Sequence, residues 1–261
     1  MTLPLETRHA LVCGGSEGIG RASAAALAEL GATVTLLARR VDALTAAVAT
    51  LPAPCGQAHS TLAADMSDTN ALRETIATLA EARPVHILVN NSAGPPGSPA
   101  HAAAVDAYAA VFRQHLLAAQ VCVQAVLPGM RAARWGRVVN VISTSVKEPI
   151  ANLGVSNTIR GAVAAWAKTL ATELGPDGIT VNNVLPGYTR TQRLDQILAE
   201  RAAATGKTQD AIAAGMLATV PAGRFAEPAE IAAAVAFLCS PAAGYVNGIN
   251  LPVDGGRTRS L

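Results

Sequence analysis

The sequence predicts an α/β protein built on an open, parallel β-sheet, and three observations carry that prediction. Short apolar runs of β-forming character alternate with longer Ala-rich runs of helical character as far as residue 185. The short runs show little polar alternation, as strands do when helices cover both faces of a sheet. A glycine-rich turn joins the first such run to the first helical one.

The elements follow in order. HALVC (9–13) opens the series, and the GGSEGIG turn hands the chain to a helix near 18–30. TVTLL (33–37) precedes a helix near 41–50, HSTLAA (59–64) one near 68–82, and HILVN (86–90) a long helix near 104–131. RVVNVI (137–142) leads to a helix near 153–174, and ITVNNVL (179–185) closes the series. Each connection is long enough for a right-handed crossover between parallel strands. After Pro186-Gly187 the segment 190–220 leaves the rhythm with a polar, helical stretch, RTQRLDQILAERAAATGKTQDAIAAGM. Long excursions from compact domains tend to be lids or binding segments, and a substrate lid is expected here. No repeat, linker or shift of composition divides the chain, so a single domain over 1–261 is expected.

Hydrophobic residues make up 51% of the chain and aromatics only 3%, so a large core must be built from Ala, Val, Leu and Ile. Twenty basic residues against 18 acidic ones leave a net charge of +2, which gives no footprint for nucleic acid or an acidic membrane. Cys13, Cys55, Cys122 and Cys239 form no CxxC pair and have no histidine at ligand spacing. Free thiols in a reducing compartment, and no metal, are the expectation. The start MTLPLETRHALV lacks a basic region followed by a long apolar run, and no run of eighteen apolar residues occurs elsewhere. A soluble, cytoplasmic protein is expected.

The turn Gly14-Gly15-Ser16-Glu17-Gly18-Ile19-Gly20 lies between a strand and a helix. Glycines at 14, 18 and 20 permit a tight turn and close backbone approach, and the helix N-terminus offers free N–H groups to a pyrophosphate. This context predicts dinucleotide binding. The second strand ends in Leu37-Ala38-Arg39-Arg40, without the acid that would hold the ribose 2′-hydroxyl of NAD. Arg39 and Arg40 suit the 2′-phosphate of NADP(H), which is favoured over NAD(H), although Glu17 adds negative charge nearby.

GGSEGIG, Ala63-Ala64-Asp65-Met66, VNNSAG (89–94), NVISTS (140–145), LPGYTRT (185–191) and NGINLPVDGG (247–256) together resemble the short-chain dehydrogenase/reductase family, from about residue 7 to 256. The resemblance implies a Rossmann-type doubly wound domain of seven parallel strands, assembled as a homotetramer or dimer. It would put Asp65 and Met66 by the adenine, and Asn91 and Ser92 along the cofactor. Pro186, Gly187, Thr189 and Thr191 would flank the nicotinamide. One loop departs from the pattern: the family's NNAG reads Asn90-Asn91-Ser92-Ala93, with Gly94 one residue late.

The chemical end departs further. The resemblance implies a serine that holds the substrate oxygen, a tyrosine acid, a lysine on the ribose and an asparagine in the long helix. Ser143 matches the serine. Ser156 stands where the tyrosine belongs, Arg160 where the lysine belongs and His115 at the asparagine position. The segment is similar to divergent members carrying SNxxR in place of YxxxK. A serine hydroxyl is a far weaker acid than a phenol and reaches less far. Arg160 can bind ribose hydroxyls but stays protonated. Other candidates for proton transfer are Lys147, in the loop beyond Ser143, Tyr188, after Pro186-Gly187, and His115, which titrates in the right range.

An NADP(H)-dependent oxidoreductase with a rebuilt proton donor is the leading reading. Its substrate would be a small, mainly apolar carbonyl or alcohol held by residues around 93–99, 144–152 and 188–220. A cofactor-holding enzyme of non-redox chemistry (isomerase, dehydratase or cyclase) stands second, and an inactive cofactor-sensing or scaffold protein third.

Overall fold

The computed structural model describes residues 2–260. The strands are β1 (His9–Cys13), β2 (Thr33–Ala38), β3 (Ser60–Ala63), β4 (Ile87–Asn90), β5 (Gly136–Val141), β6 (Ile179–Pro186) and β7 (Asn250–Val253). They form one sheet of seven parallel strands in the order β3-β2-β1-β4-β5-β6-β7. The order reverses between β1 and β4, so a crevice opens where the C-terminal ends of those strands part.

Both faces are covered. On one side α1 (Gly18–Glu29), α2 (Val41–Val48) and α9 (Pro228–Cys239) bury Leu27, Leu44, Ile231 and Val235 against Val12, Val34 and Val139. On the other, α3 (Thr69–Ala82), α5 (Ala118–Ala132) and α6 (Gly154–Leu174) bury Leu72, Ile76, Cys122 and Ala167 against Leu11, Leu88 and Val181. β1 shows why strand alternation is lost: Ala10 and Val12 enter one core while Leu11 and Cys13 enter the other.

The long helix expected over 104–131 runs from Val105 to Ala132 in three parts: α4 (Val105–Phe112), a wide π-type turn (Arg113–Leu117) and α5. The π-turn closes with a bond from the Ala118 N–H to the Arg113 carbonyl and buries His115. By length and composition this helix could cross a membrane, with a mean hydropathy of 1.2; here one flank lies in the sheet's core against α3.

Segment 190–220 is a helix pair, α7 (Gln192–Thr205) and α8 (Gln209–Leu217), joined through Gly206 at φ 68°. Leu194, Met216 and Phe225 make a small core of their own beneath it. Two elements beyond residue 185 lie outside the sequence-based series. β7 is short and only half-buried at the sheet edge. α9 is announced by a signal that was legible: Glu227 and Glu230 form a capping box around Pro228, followed by the apolar run IAAAVAFLC.

Asparagines rivet one half of the sheet. Asn90, Asn140, Asn183 and Asn250 are register partners on β4, β5, β6 and β7. Asn90 Nδ2 donates to Asn140 Oδ1 at 2.9 Å, Asn140 Nδ2 to Asn183 Oδ1 at 2.9 Å, and Asn183 Nδ2 to Asn250 Oδ1 at 2.8 Å. At the opposite end of β1, the buried His9 shares a 2.8 Å bond with Thr35 Oγ1, which meets Ser60 Oγ at 2.7 Å.

Candidate active site

The crevice at the strand-order reversal is a cleft of about 490 Å³. Its far end is the glycine-rich turn. Gly14 and Gly18 take φ values of 59° and 55°, the left-handed region glycine adopts without strain. A side chain at Gly20 would overlap the Gly14 carbonyl oxygen, so α1 can sit this close to β1 only as glycine. Ser16, Glu17, Gly18 and Ile19 line the cleft, and the first N–H groups of α1 are without intrahelical partners, as at every helix start. Asn91, just after β4, braces the turn, its Nδ2 donating to the Gly14 carbonyl at 3.3 Å.

Arg39 and Arg40 follow β2 at the rim. Arg40 pairs with Glu17 across the cleft at 2.8 Å, both side chains exposed. Asp65 is held below the usual carboxylate range, chiefly by the N–H and hydroxyl of Ser67 and further by the charge of Arg39. Met66 is buried in the core with its edge on the cleft. The family-like loop after β4 runs through Asn91 and Ser92. A side chain at Gly94 would meet no neighbour, so its one-residue displacement costs no packing.

The near end is formed by the C-terminal ends of β5 and β6. Pro186 ends β6 and Gly187 follows it, and a side chain at Gly187 would press on Asp254. The Thr189 hydroxyl donates to the Gly187 carbonyl at 3.1 Å, and that of Thr191 to the Thr189 carbonyl at 3.3 Å. Thr191 also touches the space above Gly18, which ties the two ends of the cleft together. Ser143 Oγ accepts the Ser145 N–H at 3.1 Å, so its own proton is available to a ligand. Ser156 and Arg160 lie one α-helical turn apart at the start of α6, and both line the cleft with Ser143 and Tyr188.

Arg160 is buried, and one Nη1–H donates to the Val141 carbonyl at 3.0 Å. Burial pulls it down to about 10, so it remains a cation at neutral pH. His115 lies behind this floor, with its Nδ1 2.6 Å from the Ser92 hydroxyl. Burial, followed by the charge of Arg160, pushes it to about 3, so it is a neutral imidazole at physiological pH. It is not among the residues lining the cleft, and neither is Lys147, which sits at the end of the short turn after Ser143.

Several lining or bracing residues went unread in the sequence. Asn157, between Ser156 and Arg160, grips the loop before α6: its Nδ2 donates to the Ile150 carbonyl at 2.8 Å and its Oδ1 accepts the Ile150 N–H at 3.4 Å. The spacing alone could not assign it. Arg193, on α7, reaches across to the Pro95 carbonyl at 3.0 Å. The chain's last described residues strap the mouth. Glu148 accepts the N–H groups of Arg259 and Ser260 at 2.6 and 2.8 Å, and the Arg257 guanidinium lies 4.7 Å over the ring of Tyr188. Tyr188 meets Phe225 edge to face at 6.3 Å. Among the described residues no cluster of His, Cys, Asp or Glu could hold a metal ion, and all four cysteines are free.

Comparisons with known proteins agree with this geometry. Residues 14–258 match the family described as enoyl-(acyl carrier protein) reductase. The chain is 34% identical over 255 residues to the 3-oxoacyl-(acyl-carrier-protein) reductase of Vibrio harveyi, covering 97% of this chain and 98% of that one. It is 33% identical over 280 residues to a cyclohexanol dehydrogenase of a Rhodococcus species, covering 99% and 98%. The crystal structure of L-sorbose reductase from Gluconobacter frateurii, complexed with NADPH and L-sorbose, superposes with a TM-score of 0.92 over the whole of both chains at 29% identity.

Proposed function

Because the chain belongs to the short-chain dehydrogenase/reductase family, whose sheet and motifs it carries nearly end to end, we propose that it is an NADP(H)-dependent oxidoreductase interconverting a small, mainly apolar carbonyl compound and its alcohol. The observation that carries this reading is continuity: one cleft is lined at one end by the glycine-rich turn and Arg39, and at the other by Ser143, Ser156 and Arg160.

The residues fit the nucleotide. Gly14, Ser16, Glu17, Gly18, Ile19 and Gly20 supply a turn and N–H groups for the pyrophosphate. Asp65 and Met66 would bound the adenine, with Asn91 and Ser92 alongside the chain of the cofactor. Pro186, Gly187, Thr189 and Thr191 would frame the nicotinamide. Glu17 no longer argues against a 2′-phosphate, because Arg40 neutralises it and Arg39 is left to meet the phosphate. The NADPH bound to the sorbose reductase supports the same choice.

When bound, the nucleotide supplies or accepts hydride. The chain's own part is positioning and charge. Ser143 donates its free proton to the substrate oxygen, and Ser156 sits where a second hydroxyl can do the same. Arg160 holds positive charge beneath them. With Ser156 too weak an acid, His115 neutral and set behind the floor, and Lys147 outside the lining, the proton comes from the Tyr188 phenol on the lining or from water. The α7–α8 pair over 190–220 acts as the substrate lid, latched by Arg193 to Pro95, within one domain that assembles as a homo-oligomer.

Calorimetric titration with NADPH and NADH tests this, with Arg39→Ala alongside. NADPH should bind more tightly than NADH, and Arg39→Ala should weaken NADPH alone by roughly tenfold or more, the loss of a charge-assisted pair. A folded chain that binds neither nucleotide would end the oxidoreductase reading.

A further inference from the structure

Among the described residues, the near end of the cleft carries a buried cation and no acid to match it. Arg160 is 7% exposed. Among the described residues only one of its guanidinium N–H groups is engaged, by the Val141 carbonyl, and its side chain lines the cleft. Among the described residues Arg160 enters no ion pair. The two acids that line the cleft stand at its far end and are engaged there, Glu17 by Arg40 and Asp65 by Ser67. In the loops around the near end, Glu148 accepts main-chain N–H groups of Arg259 and Ser260, and Asp254 those of Gly256 and Thr258. What does face Arg160 is Ser143, Ser156 and, behind it, the neutral imidazole of His115. The charged lid residue that lines the cleft, Arg193, is basic too, and it pairs with Glu200 of its own helix at 3.7 Å.

A guanidinium taken out of water is costly unless an anion meets it. Nicotinamide ribose hydroxyls could accept its N–H groups but carry no charge, and the pyrophosphate belongs to the far end. Among the described residues no anion meets it, which leaves an anion arriving with the substrate to complete the site. A planar fork of N–H donors flanked by two hydroxyls matches a carboxylate, which takes two parallel N–H bonds from arginine.

We propose that Arg160 is an anchor for a substrate carboxylate, and that the substrate is a small keto acid or the matching hydroxy acid. Which of its carbons is reduced rests on the oxidoreductase reading above; the carboxylate site itself rests on the geometry of Arg160. The remainder of the substrate meets the apolar walls of Ile142, Leu153 and Ile197, so a short aliphatic chain fits beyond the acid group.

Calorimetry with propionate and its neutral isostere propionamide tests the site. Each is titrated into the wild type, free and preloaded with NADP⁺, and into Arg160→Met. Propionate should bind at least tenfold more tightly than propionamide, and Arg160→Met should remove that preference. Equal binding of the two probes, no binding of propionate, or an unchanged preference in Arg160→Met would overturn the proposal. If a thermal melt shows that Arg160→Met does not fold, the wild-type comparison in the NADP⁺-loaded protein decides, since the nucleotide then occupies the competing phosphate end. A wild type that binds propionate but no nucleotide would sink the oxidoreductase reading and leave the anion site standing.

Discussion

Substituting Asn140 by alanine breaks the asparagine ladder at its middle rung. Asn140 is 1% exposed, and it accepts from Asn90 and donates to Asn183. Its removal orphans Asn90 Nδ2 and Asn183 Oδ1, both in the core. A buried polar group stripped of its partner costs about 1–3 kcal/mol, so the pair amounts to about 2–6 kcal/mol. Asn183→Ala orphans Asn140 Nδ2 and the Oδ1 of Asn250, which is only half-buried and can take water; its cost is about 1–4 kcal/mol. The double variant orphans Asn90 Nδ2 and Asn250 Oδ1 and leaves nothing unpaired between them. It should therefore cost no more than Asn183→Ala alone, about 1–4 kcal/mol, rather than the sum. Urea unfolding followed by circular dichroism gives the three values. Additivity within about 0.5 kcal/mol would show that the rungs act independently and that the ladder is not a unit.

Three further outcomes follow from the same geometry. His9 is pulled down to about 4 by burial and then by the charge of Arg83, and His115 to about 3, both from an ordinary value of 6.5. The unfolded chain thus binds more protons than the folded one in acid, so this stability is fully present above pH 6.5 and is lost as the pH falls toward 4 and then 3. Urea midpoints measured from pH 7 to pH 4 should fall, and His9→Gln should flatten the upper part of the slope; an unchanged slope would refute the assignment to His9. A methyl group at Gly154 would fall on the backbone of Ala100, so Gly154→Ala should lower stability by about 1–3 kcal/mol and the melting temperature by several degrees, read by differential scanning fluorimetry. Asn157→Ala frees the Ile150 backbone, so limited proteolysis should cut the 147–153 loop faster than in the wild type, with the global unfolding midpoint little changed.

The sheet was legible because its signals are local and repeated. Apolar runs such as HILVN and ITVNNVL have no polar face to present, and the glycines of the turn from Gly14 to Gly20 mark where a strand passes into a helix. The end of the chain was harder to read. β7 contains Pro252 and is half-buried, so neither period nor burial marks it, whereas the capping box at Glu227 would have marked α9. At the site, Ser143, Ser156, Arg160 and Tyr188 do meet in the cleft, because their spacing along α6 and the strand ends fixes where they point. Lys147 lies only four residues from Ser143, but the short turn between them carries it off the lining. Sequence distance says nothing about a turn's direction. Nor could it show that the tail reaches back over a hundred residues to Glu148, or that burial, followed by the charge of Arg160 on another helix, would strip His115 of its basicity.

The wide turn at Arg113–Leu117 has a consequence for how this helix could change in descent. Five residues occupy a single turn there, one more than α-helical winding needs, and the flanks on either side are regular. The turn is thus an insertion held inside a helix. Losing one residue from it would let α4 and α5 join as a continuous helix with Val111 and Ala118 still facing the core. The feature given up would be the inward bulge that brings His115 to Ser92. The histidine behind the cleft is therefore a detachable module: a single codon's deletion could remove it without unmaking the helix that carries it.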